Sequence, residues 1–284
     1  MLAYNHSSEM INGDGLTPDS EFSDVMIWRE KIMRLKGKVA IIAGAGFGRG
    51  MSRGFPEGFA REGADLSLNI RRNEPERIKE LVEELESFGS RVIVTVGDIS
   101  EEAVAKKLVE NTIEAFGRVD ILLNNTGMTN PKPITEMTVE EWDRMIAVNL
   151  RSHFLTCKYT IPHMIAQKSG RIINIASQVA QKGGTDHCHY AASKAGIIGM
   201  TKALAWDLGK YGITCNCIAP GPIDTQMMDS VSEEWRAAKL NDLVLPRFGT
   251  IDEVVPSAIF LASEPDGNIY TGQTLGPNSG DVML

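Results

Sequence analysis

The sequence predicts a single-domain α/β protein with a doubly wound parallel sheet of about seven strands and helices on both faces. Short runs rich in Ile, Val and Leu alternate with helical patterns from Lys38 onward. Such nearly unbroken apolar runs are typical of parallel strands that are buried on both faces. A glycine-rich segment directly follows the first run, where folds of this class bind phosphate groups at the start of a helix.

The elements alternate along the whole chain, as the doubly wound topology requires. Strands are predicted at 39–43, 66–70, 92–96, 121–124, 171–176, 213–219 and near 273–276, and helices at 74–88, 101–116, 139–167, 189–211 and 252–263. Capping boxes begin two of these helices, with Thr138 and Glu141 in one and Thr250 and Glu253 in the other. Ligands in such folds bind beyond the carboxyl ends of the strands.

The first 36 residues differ in composition from the rest and predict an N-terminal extension, followed by a catalytic dinucleotide-binding domain at 37–284. The extension is polar and carries turn signals, and a short amphipathic helix is predicted at 24–35. Three interpretations fit it: a mobile arm, a packing element at an oligomer interface, or a stretch that precedes the natural start of the protein. The third fits because Met33 would also make a natural beginning. The sequence leaves these three interpretations open.

Charge and composition exclude several classes of partner. The net charge is −8, and nucleic-acid binding needs a basic surface, so no nucleic acid is expected. No apolar run approaches the ~20 residues that cross a bilayer, and no secretory signal is evident, so we expect no membrane partner. The four cysteines are predicted to be reduced thiols in the cytoplasm: Cys157, Cys188, Cys215 and Cys217. Residues 186–189 read Asp-His-Cys-His, but lack two separated ligand pairs, so no metal is predicted.

Tyr190 and Lys194 carry the strongest indication of chemistry. They are four residues apart, so both side chains project from one side of a predicted helix. A phenol titrates near pH ~10, and a neighbouring ammonium group lowers that pKa. The pair is therefore predicted to donate and accept protons near neutral pH. Ser177 and Asn149 precede the pair in the chain.

The glycine-rich segment after the first strand predicts a dinucleotide site. Glycines there allow a tight turn and let the backbone approach a pyrophosphate. Pro56 lies where the following helix should run, with Gly54 and Gly58 around it. Because proline is tolerated only in the first turn of a helix, we expect this helix to start late, near Pro56, after an enlarged loop.

The end of the second predicted strand indicates which dinucleotide is bound. An acidic residue there would bind the ribose 2′-hydroxyl of NAD, whereas arginine suits the 2′-phosphate of NADP. The chain has Arg71 and Arg72 at this point and no acid. Arginine can bind a doubly charged phosphate in bidentate fashion, so NADP is favoured and NAD stays possible.

Together these motifs resemble the short-chain dehydrogenase/reductase family in its compact, single-domain, Rossmann-type branch. The resemblance covers Lys38 to about Gly280. The matching residues are Gly44, Gly48 and Gly50, Asp98, the stretch Asn124-Asn125-Thr126-Gly127, Asn149, Ser177, Tyr190, Lys194, and the stretch from Pro220 to Thr225. The order of several separate motifs makes the resemblance specific.

The resemblance implies a role for each of these positions. The implied cofactor site comprises Gly44, Gly46, Phe47, Gly48, Gly50, Arg71, Asp98, Ile99, Asn124, Gly127, Tyr190, Lys194, Pro220, Gly221, Ile223 and Thr225. Tyr190 would be the general acid or base, and Ser177 would hydrogen-bond the substrate oxygen. Lys194 would bind the nicotinamide ribose and lower the pKa of Tyr190, and Asn149 would hold a water that connects the lysine to solvent.

The chain departs from the family pattern at several places. Ala43 and Thr126 replace the usual threonine and alanine, and the span after Gly50 is about two residues longer than is usual. Pro277-Asn278-Ser279-Gly280 stands where the family usually has Asp-Gly-Gly, which puts the contacts of the last strand in question. None of these changes removes a predicted catalytic group.

The substrate site is predicted from residues near the catalytic pair. Ser177, Gln178, His187, Tyr190 and Met227 are predicted to bind substrate. Methionine adapts to irregular apolar shapes, so the segment after Thr225 is predicted either to close over an apolar substrate or to pack in the core.

The sequence therefore predicts an NADP(H)-dependent oxidoreductase that interconverts a secondary alcohol and a ketone on a small, fairly apolar molecule. One alternative is reduction of 3-oxoacyl groups on acyl carrier protein, for which Lys168, Arg171 and Lys210 could supply a basic docking patch. Another is a dinucleotide-binding sensor or scaffold without turnover. The resemblance also implies a homo-oligomer, either a dimer or a tetramer.

Overall fold

The computed structural model of the protein describes residues 33–283, except for the side chains of Met227 and Ser230. Within it, Met33 onward forms one compact unit. Leu35 is fully buried, and its backbone N–H donates to the carbonyl of Glu62 at 2.9 Å. Residues 1–32 lie outside the described chain, so the predicted extension, its boundary at residue 36 and most of the predicted helix at 24–35 stay predictions.

The sheet has seven strands, all parallel, in the order β3-β2-β1-β4-β5-β6-β7. The strands are β1 Val39–Ala45, β2 Asp65–Ile70, β3 Val92–Val96, β4 Ile121–Asn124, β5 Gly170–Ile175, β6 Ile213–Ile218 and β7 Thr274–Leu275. The strand order reverses between β1 and β4, and this is where doubly wound folds bind their ligands. The predicted fold class is confirmed.

Helices cover both faces of the sheet. They are α1 Met51–Arg61, α2 Pro75–Glu86, α3 Glu102–Phe116, α4 Val139–Ile146, α5 Ser152–Gln167, α6 Val179–Lys182, α7 Cys188–Leu208, α8 Glu233–Asp242 and α9 Ile251–Ala262. Alternate residues of β1 point to opposite faces, so Ile42 packs in the core with α1 and α9, whereas Ile41 packs in the core with α3, α5 and α7. None of the helices in the described residues is long and apolar enough to span a bilayer.

The long helix predicted at 139–167 is wrong in one respect, because it is interrupted. It begins with the predicted capping box, in which Glu141 N–H donates to Thr138 Oγ1 at 3.2 Å. A five-residue π-helix, Ala147–Arg151, then separates α4 from α5. Widened turns of this kind are frequent at functional sites, and this one contains Asn149. The short helix α6 and the helix α8 were not predicted.

The expected late start of the first helix is also wrong. Helix α1 begins at Met51, and Pro56 lies inside it. A proline at this position has no N–H for the carbonyl of Ser52, four residues earlier. That carbonyl instead accepts a 3.0 Å hydrogen bond from the backbone N–H of Gly46 in the glycine loop. The helix tolerates the proline because the acceptor that it leaves open is satisfied by the loop.

Candidate active site

A cavity of about 320 Å³ lies at the carboxyl ends of the central strands. The glycine loop forms one wall through Gly48 and Gly50. Gly127, Tyr190 and Lys194 line the same cavity from the other side. The structure therefore brings the predicted phosphate-binding loop and the predicted proton-transfer pair to one place.

The end of β1 packs closely against the segment that follows β4. Gly44 has φ +87°, a conformation that favours glycine, and a Cβ there would lie 2.7 Å from the backbone N of Thr126. Beside it, Asn125 Oδ1 and Thr126 Oγ1 are buried side-chain atoms without a hydrogen-bond partner in the described chain. Buried polar atoms are normally paired, so these two fit the polar groups of a bound nucleotide.

Lys194 is only 3% exposed. Its Nζ donates to the carbonyl of Ile175 at 2.8 Å and lies 6.0 Å from the centroid of the Tyr190 ring. Burial lowers the pKa of Lys194 to about 8. The amine is therefore close to the point at which it gains or loses a proton near neutral pH.

The expectation that Lys194 lowers the pKa of Tyr190 is wrong for this structure. Burial raises the pKa of the Tyr190 phenol above its ordinary value, and a hydrogen bond with Ser177 lowers it in part. The lysine amine is directed at the carbonyl of Ile175, so it does not offset the burial of the phenol. The phenol consequently keeps its proton at neutral pH and can act as a donor.

Ser177 lies beside the phenol and is nearly buried, with 7% exposure. Its Oγ accepts from the backbone N–H of Val179 at 3.2 Å and donates to Gln178 Oε1 at 3.0 Å. The ring of His187 meets the Tyr190 ring edge to face at 5.8 Å. The predicted substrate residues Ser177, Gln178 and His187 are thus grouped around Tyr190, whereas the side chain of Met227 lies outside what the structure describes.

Asn149 is fully buried in the π-helix, and its amide is occupied by protein contacts. Its Oδ1 accepts from the backbone N–H of Met128 at 2.8 Å, and its Nδ2 donates to the carbonyl of Met128 at 3.0 Å and to Ser193 Oγ at 3.1 Å. The side chain therefore fixes the loop that carries Gly127 against α7. The water-holding role that the resemblance implies stays a prediction.

A second cavity, of about 300 Å³, adjoins Asp98, Ile99 and Gly127 and suits the adenosine half of a dinucleotide. Asp98 forms an ion pair with Arg144 and accepts from Ser100 Oγ at 2.6 Å. Asn124 is not among the residues that line either cavity. It lies buried within the sheet, where its Nδ2 donates to Asn174 Oδ1 at 2.8 Å. This side-chain hydrogen bond joins β4 to β5 beneath the site.

Three arginines surround a further cavity of about 320 Å³ beyond the glycine loop. Arg71 and Arg72 were predicted from the end of β2, and Arg77 joins them from the first turn of α2. The guanidinium of Arg77 lies 4.6 Å from the centroid of the Phe47 ring and pairs with Glu74 at 2.7 Å. Sequence reasoning missed Arg77, because only the fold brings α2 against the loop.

The segment after β6 lies over the opposite end of the site. The carbonyl of Pro220 accepts from the N–H of Gln178 at 3.1 Å, and Thr225 lines the same cavity as Tyr190. Ile223 forms an isolated bridge with Gly249. Gly221 packs so closely on Asn278 that a Cβ would lie 2.6 Å from its Cα. The unusual C-terminal stretch therefore supports the predicted nicotinamide end, and β7 pairs with β6 in the normal way.

Within residues 33–283, no group of three or more His, Cys, Asp and Glu side chains is arranged to hold a metal ion. The residues present fit a dinucleotide instead, through the buried side-chain oxygens of Asn125 and Thr126, which have no hydrogen-bond partner among these residues.

Known proteins resemble this chain over most of its length. A family model described as enoyl-(acyl carrier protein) reductase matches residues 44–280. The chain is 38% identical over 243 residues to BbsD of Thauera aromatica, a subunit of a hydroxy(phenyl)methylsuccinyl-CoA dehydrogenase, covering 86% of this chain and 96% of that protein. It is 38% identical over 252 residues to the 3-oxoacyl-(acyl-carrier-protein) reductase FabG of Thermotoga maritima, covering 88% and 100%.

A solved structure shows the same fold. A short-chain dehydrogenase/reductase from Serratia marcescens superposes with a TM-score of 0.80 at 30% identity, covering 87% of this chain and 99% of the other. The fold and the site thus define an oxidoreductase that uses a nicotinamide dinucleotide. The chain belongs to the short-chain dehydrogenase/reductase family.

Proposed function

We propose that this protein is an NADP(H)-dependent ketoreductase that interconverts a secondary alcohol and a ketone. The observation that carries the proposal is the shared cavity, which Tyr190 and Lys194 line together with the glycine loop. When bound, the nicotinamide supplies or accepts a hydride at the substrate carbon. Tyr190 donates the proton to the carbonyl oxygen, which Ser177 orients by a hydrogen bond. Burial raises the pKa of Tyr190, so the phenol is protonated at neutral pH but is a weaker acid than a free phenol.

The arginine-lined cavity supports NADP over NAD. Arg71, Arg72 and Arg77 face one acidic residue, Glu74, so the cavity keeps a positive balance. A 2′-phosphate would gain charge-assisted hydrogen bonds there, whereas a 2′-hydroxyl would leave the arginines unneutralised. To test this, the dissociation constants of NADPH and NADH are measured by fluorescence titration. NADPH is expected to bind at least about 10-fold more tightly.

A variant locates the source of that preference. Arg71→Ala should weaken NADPH binding and leave NADH binding unchanged, because only NADPH carries the 2′-phosphate. Arg61→Ala serves as a control, since Arg61 lies at the far end of α1 and stacks on Phe88 at 4.1 Å. Equal affinity of the wild type for both dinucleotides would refute the NADP assignment.

The relatives indicate a substrate class. FabG is named for 3-oxoacyl groups on a carrier protein, and BbsD for a hydroxylated acyl-CoA. Both names describe acyl thioesters that bear an oxo or hydroxyl group. We therefore propose a small, fairly apolar acyl thioester as the first substrate to test, beside simple ketones.

The decisive experiment replaces Tyr190 with Phe. With NADPH and a panel of ketones and 3-oxoacyl thioesters, turnover should fall by about 10²- to 10⁴-fold, because the proton donor is lost. NADPH affinity should change little. Tyr270→Phe is the matched control. The Tyr270 ring packs on the Phe260 ring with their centroids 4.8 Å apart, and Tyr270 does not line the cavity. Unchanged turnover in Tyr190→Phe would refute the role of the phenol.

Carrier-protein substrates remain the second candidate, which the FabG relatives favour. Of the basic residues considered, Lys168 and Lys210 line one surface cleft and are exposed. Arg171 is only 9% exposed and donates to Asn268 Oδ1 at 2.7 Å, so it cannot join a docking patch. A Lys168→Glu/Lys210→Glu double variant should raise KM for an acyl carrier protein substrate and leave KM for a short thioester unchanged.

A non-catalytic sensor has less support. A protein that only binds a dinucleotide has no need of Asn149, Ser177, Tyr190 and Lys194 around one cleft. NADPH binding without hydride transfer to any member of the panel would favour that interpretation.

We also propose a homo-oligomer. Trp206 on α7 is 90% exposed and Phe154 on α5 is 50% exposed, and large exposed apolar side chains often mark subunit contacts. Native mass measurement distinguishes a monomer from a dimer or a tetramer.

A further inference from the structure

A short segment after β6 bridges the opening of the cofactor cleft. We call residues 224–229 the strap, and its second part belongs to a 3₁₀-helix, Gln226–Ser230. The backbone N–H of Gln226 donates to the carbonyl of Arg49 in the glycine loop at 2.8 Å. The Gln226 side chain lies directly against Gly48, where any larger residue would overlap its Oε1. The strap is therefore seated on the glycine loop.

Ion pairs complete this contact. Arg49 Nη2 lies 2.6 Å from Asp229 Oδ1, and Arg49 Nη1 lies 3.3 Å from Asp224 Oδ1. The arginine therefore joins both ends of the strap. All three side chains are about half exposed, so each pair is weak and sensitive to salt. A contact of this strength can open and close during a catalytic cycle.

The strap borders the cleft in which the dinucleotide is proposed to bind. Arg49 and Gln226 line the same cavity as Tyr190 and Lys194. Gln226 also lines the arginine-lined cavity beyond the glycine loop. The seat of the strap therefore spans the boundary between the catalytic half and the phosphate-binding half of the cleft.

We propose that Arg49 is a positioning residue that latches the strap over the bound dinucleotide, so that opening of the latch controls cofactor release. The proposal rests on the dinucleotide binding proposed above. Arg49 of the glycine loop supplies both the carbonyl and the guanidinium that hold the strap. Loops that close over ligands often set the rate of release.

The alternative is that Arg49 binds a cofactor phosphate directly, and the two interpretations predict opposite signs. If Arg49 is a latch, Asp229→Asn weakens the closed state and speeds release. If Arg49 is a phosphate ligand, the same change frees the arginine from a competing carboxylate and slows release. The sign of one measured rate therefore separates them.

The experiment measures NADPH dissociation by stopped-flow fluorescence, after mixing the complex with excess NADP⁺. Arg49→Gln and Asp224→Asn/Asp229→Asn are each expected to speed dissociation by about 2- to 10-fold, as loss of weak surface pairs allows. Adding Arg49→Gln to the double aspartate variant should give no further increase. Salt should raise the wild-type rate by a larger factor than it raises the rates of the variants, because it weakens phosphate binding in all of them and the latch only in the wild type.

Arg53→Gln is the matched control, because Arg53 follows the same loop but pairs with Glu84 on α2. It should leave the dissociation rate unchanged. A slower or unchanged rate in the aspartate variant, or further acceleration when Arg49→Gln is added to it, overturns the latch. A wild-type chain that binds neither NADPH nor NADH overturns the proposed dinucleotide function itself, which a failed latch would leave standing.

Discussion

Gly58 in α1 lies directly against Val255 in α9, and a methyl group on the glycine would overlap Val255 Cγ1. One turn earlier, Gly54 lies against Ile251 in the same way. The absence of side chains at these two positions lets the helices approach closely on one face of the sheet. Glycine weakens a helix interior by about 1 kcal/mol relative to alanine, so this close packing accounts for residues that local propensity disfavours.

Gly58→Ala should therefore destabilise the protein despite alanine's better helix propensity. Overpacking of a filled core costs about 1–3 kcal/mol, which outweighs the propensity gain when the neighbour is a stiff β-branched side chain. Urea unfolding should show a lower free energy of unfolding. Adding Val255→Ala should recover part of the loss, so that the double variant is more stable than the sum of the single changes predicts. A more stable Gly58→Ala protein, or strict additivity, would contradict this packing.

The strands could be predicted from the sequence because their apolar runs report burial on two faces, and all seven lie within a few residues of their expected positions. The start of α1 could not. Pro56, Gly54 and Gly58 each have a low helix propensity, so the local sequence disfavours a helix there. Their tolerance depends on partners distant in sequence, namely the N–H of Gly46 and the side chains of α9.

The proximity of Tyr190 and Lys194 could be predicted, because the two residues are neighbours along one helix. The direction of the Tyr190 pKa could not, because burial depends on the whole fold. Arg77, Arg49 and Asp281 were also missed. Each acts through a contact between elements, and no local pattern marks it.

Lys194 makes stability depend on pH in a defined direction. Its pKa falls from 10.5 to about 8 in the folded chain, so the buried ammonium form is penalised in full below pH 8. The penalty is relieved as the pH rises from about 8 toward 10.5, because only the unfolded chain then binds the proton. Relative to a Lys194→Met variant, the wild type should gain about 2 kcal/mol between pH 7 and pH 9.5.

Urea unfolding of both proteins across this pH range measures the gain. Lys79→Met is the control, since Lys79 is an exposed lysine on α2, and its stability should follow the wild type at every pH. A constant difference between the wild type and Lys194→Met would show that the lysine keeps an ordinary pKa.

Asp281 holds a buried charge cluster at the end of the chain. Its side chain is 1% exposed, and its Oδ1 accepts from Lys239 of α8 at 2.6 Å and also from Lys182 of α6. Asp281→Asn would leave two ammonium groups facing each other. Breaking a buried pair costs about 3–5 kcal/mol, and we expect at least about 2 kcal/mol here because Lys182 is one-third exposed.

Thermal and urea unfolding should both show this loss. Asp266→Asn is the comparison, because Asp266 pairs with Arg34 at an exposed position and should cost under about 1 kcal/mol. Similar losses in the two variants would mean that the Asp281 cluster contributes no more than a surface pair.

Asn149 offers the last test, because a role in fixing the loop and a role in holding a water predict different results for the same variant. The amide pairs with both backbone groups of Met128, so Asn149→Ala leaves a partly buried N–H and C=O unsatisfied. We expect a loss of about 1–3 kcal/mol in stability, rapid hydrogen exchange at the Met128 amide, and weaker NADPH binding because the loop carrying Gly127 is released. A role confined to the water would lower kcat and leave both the exchange rate and the dissociation constant unchanged. Hydrogen exchange at Met128, measured beside turnover on the same variant, therefore decides whether Asn149 acts through the loop.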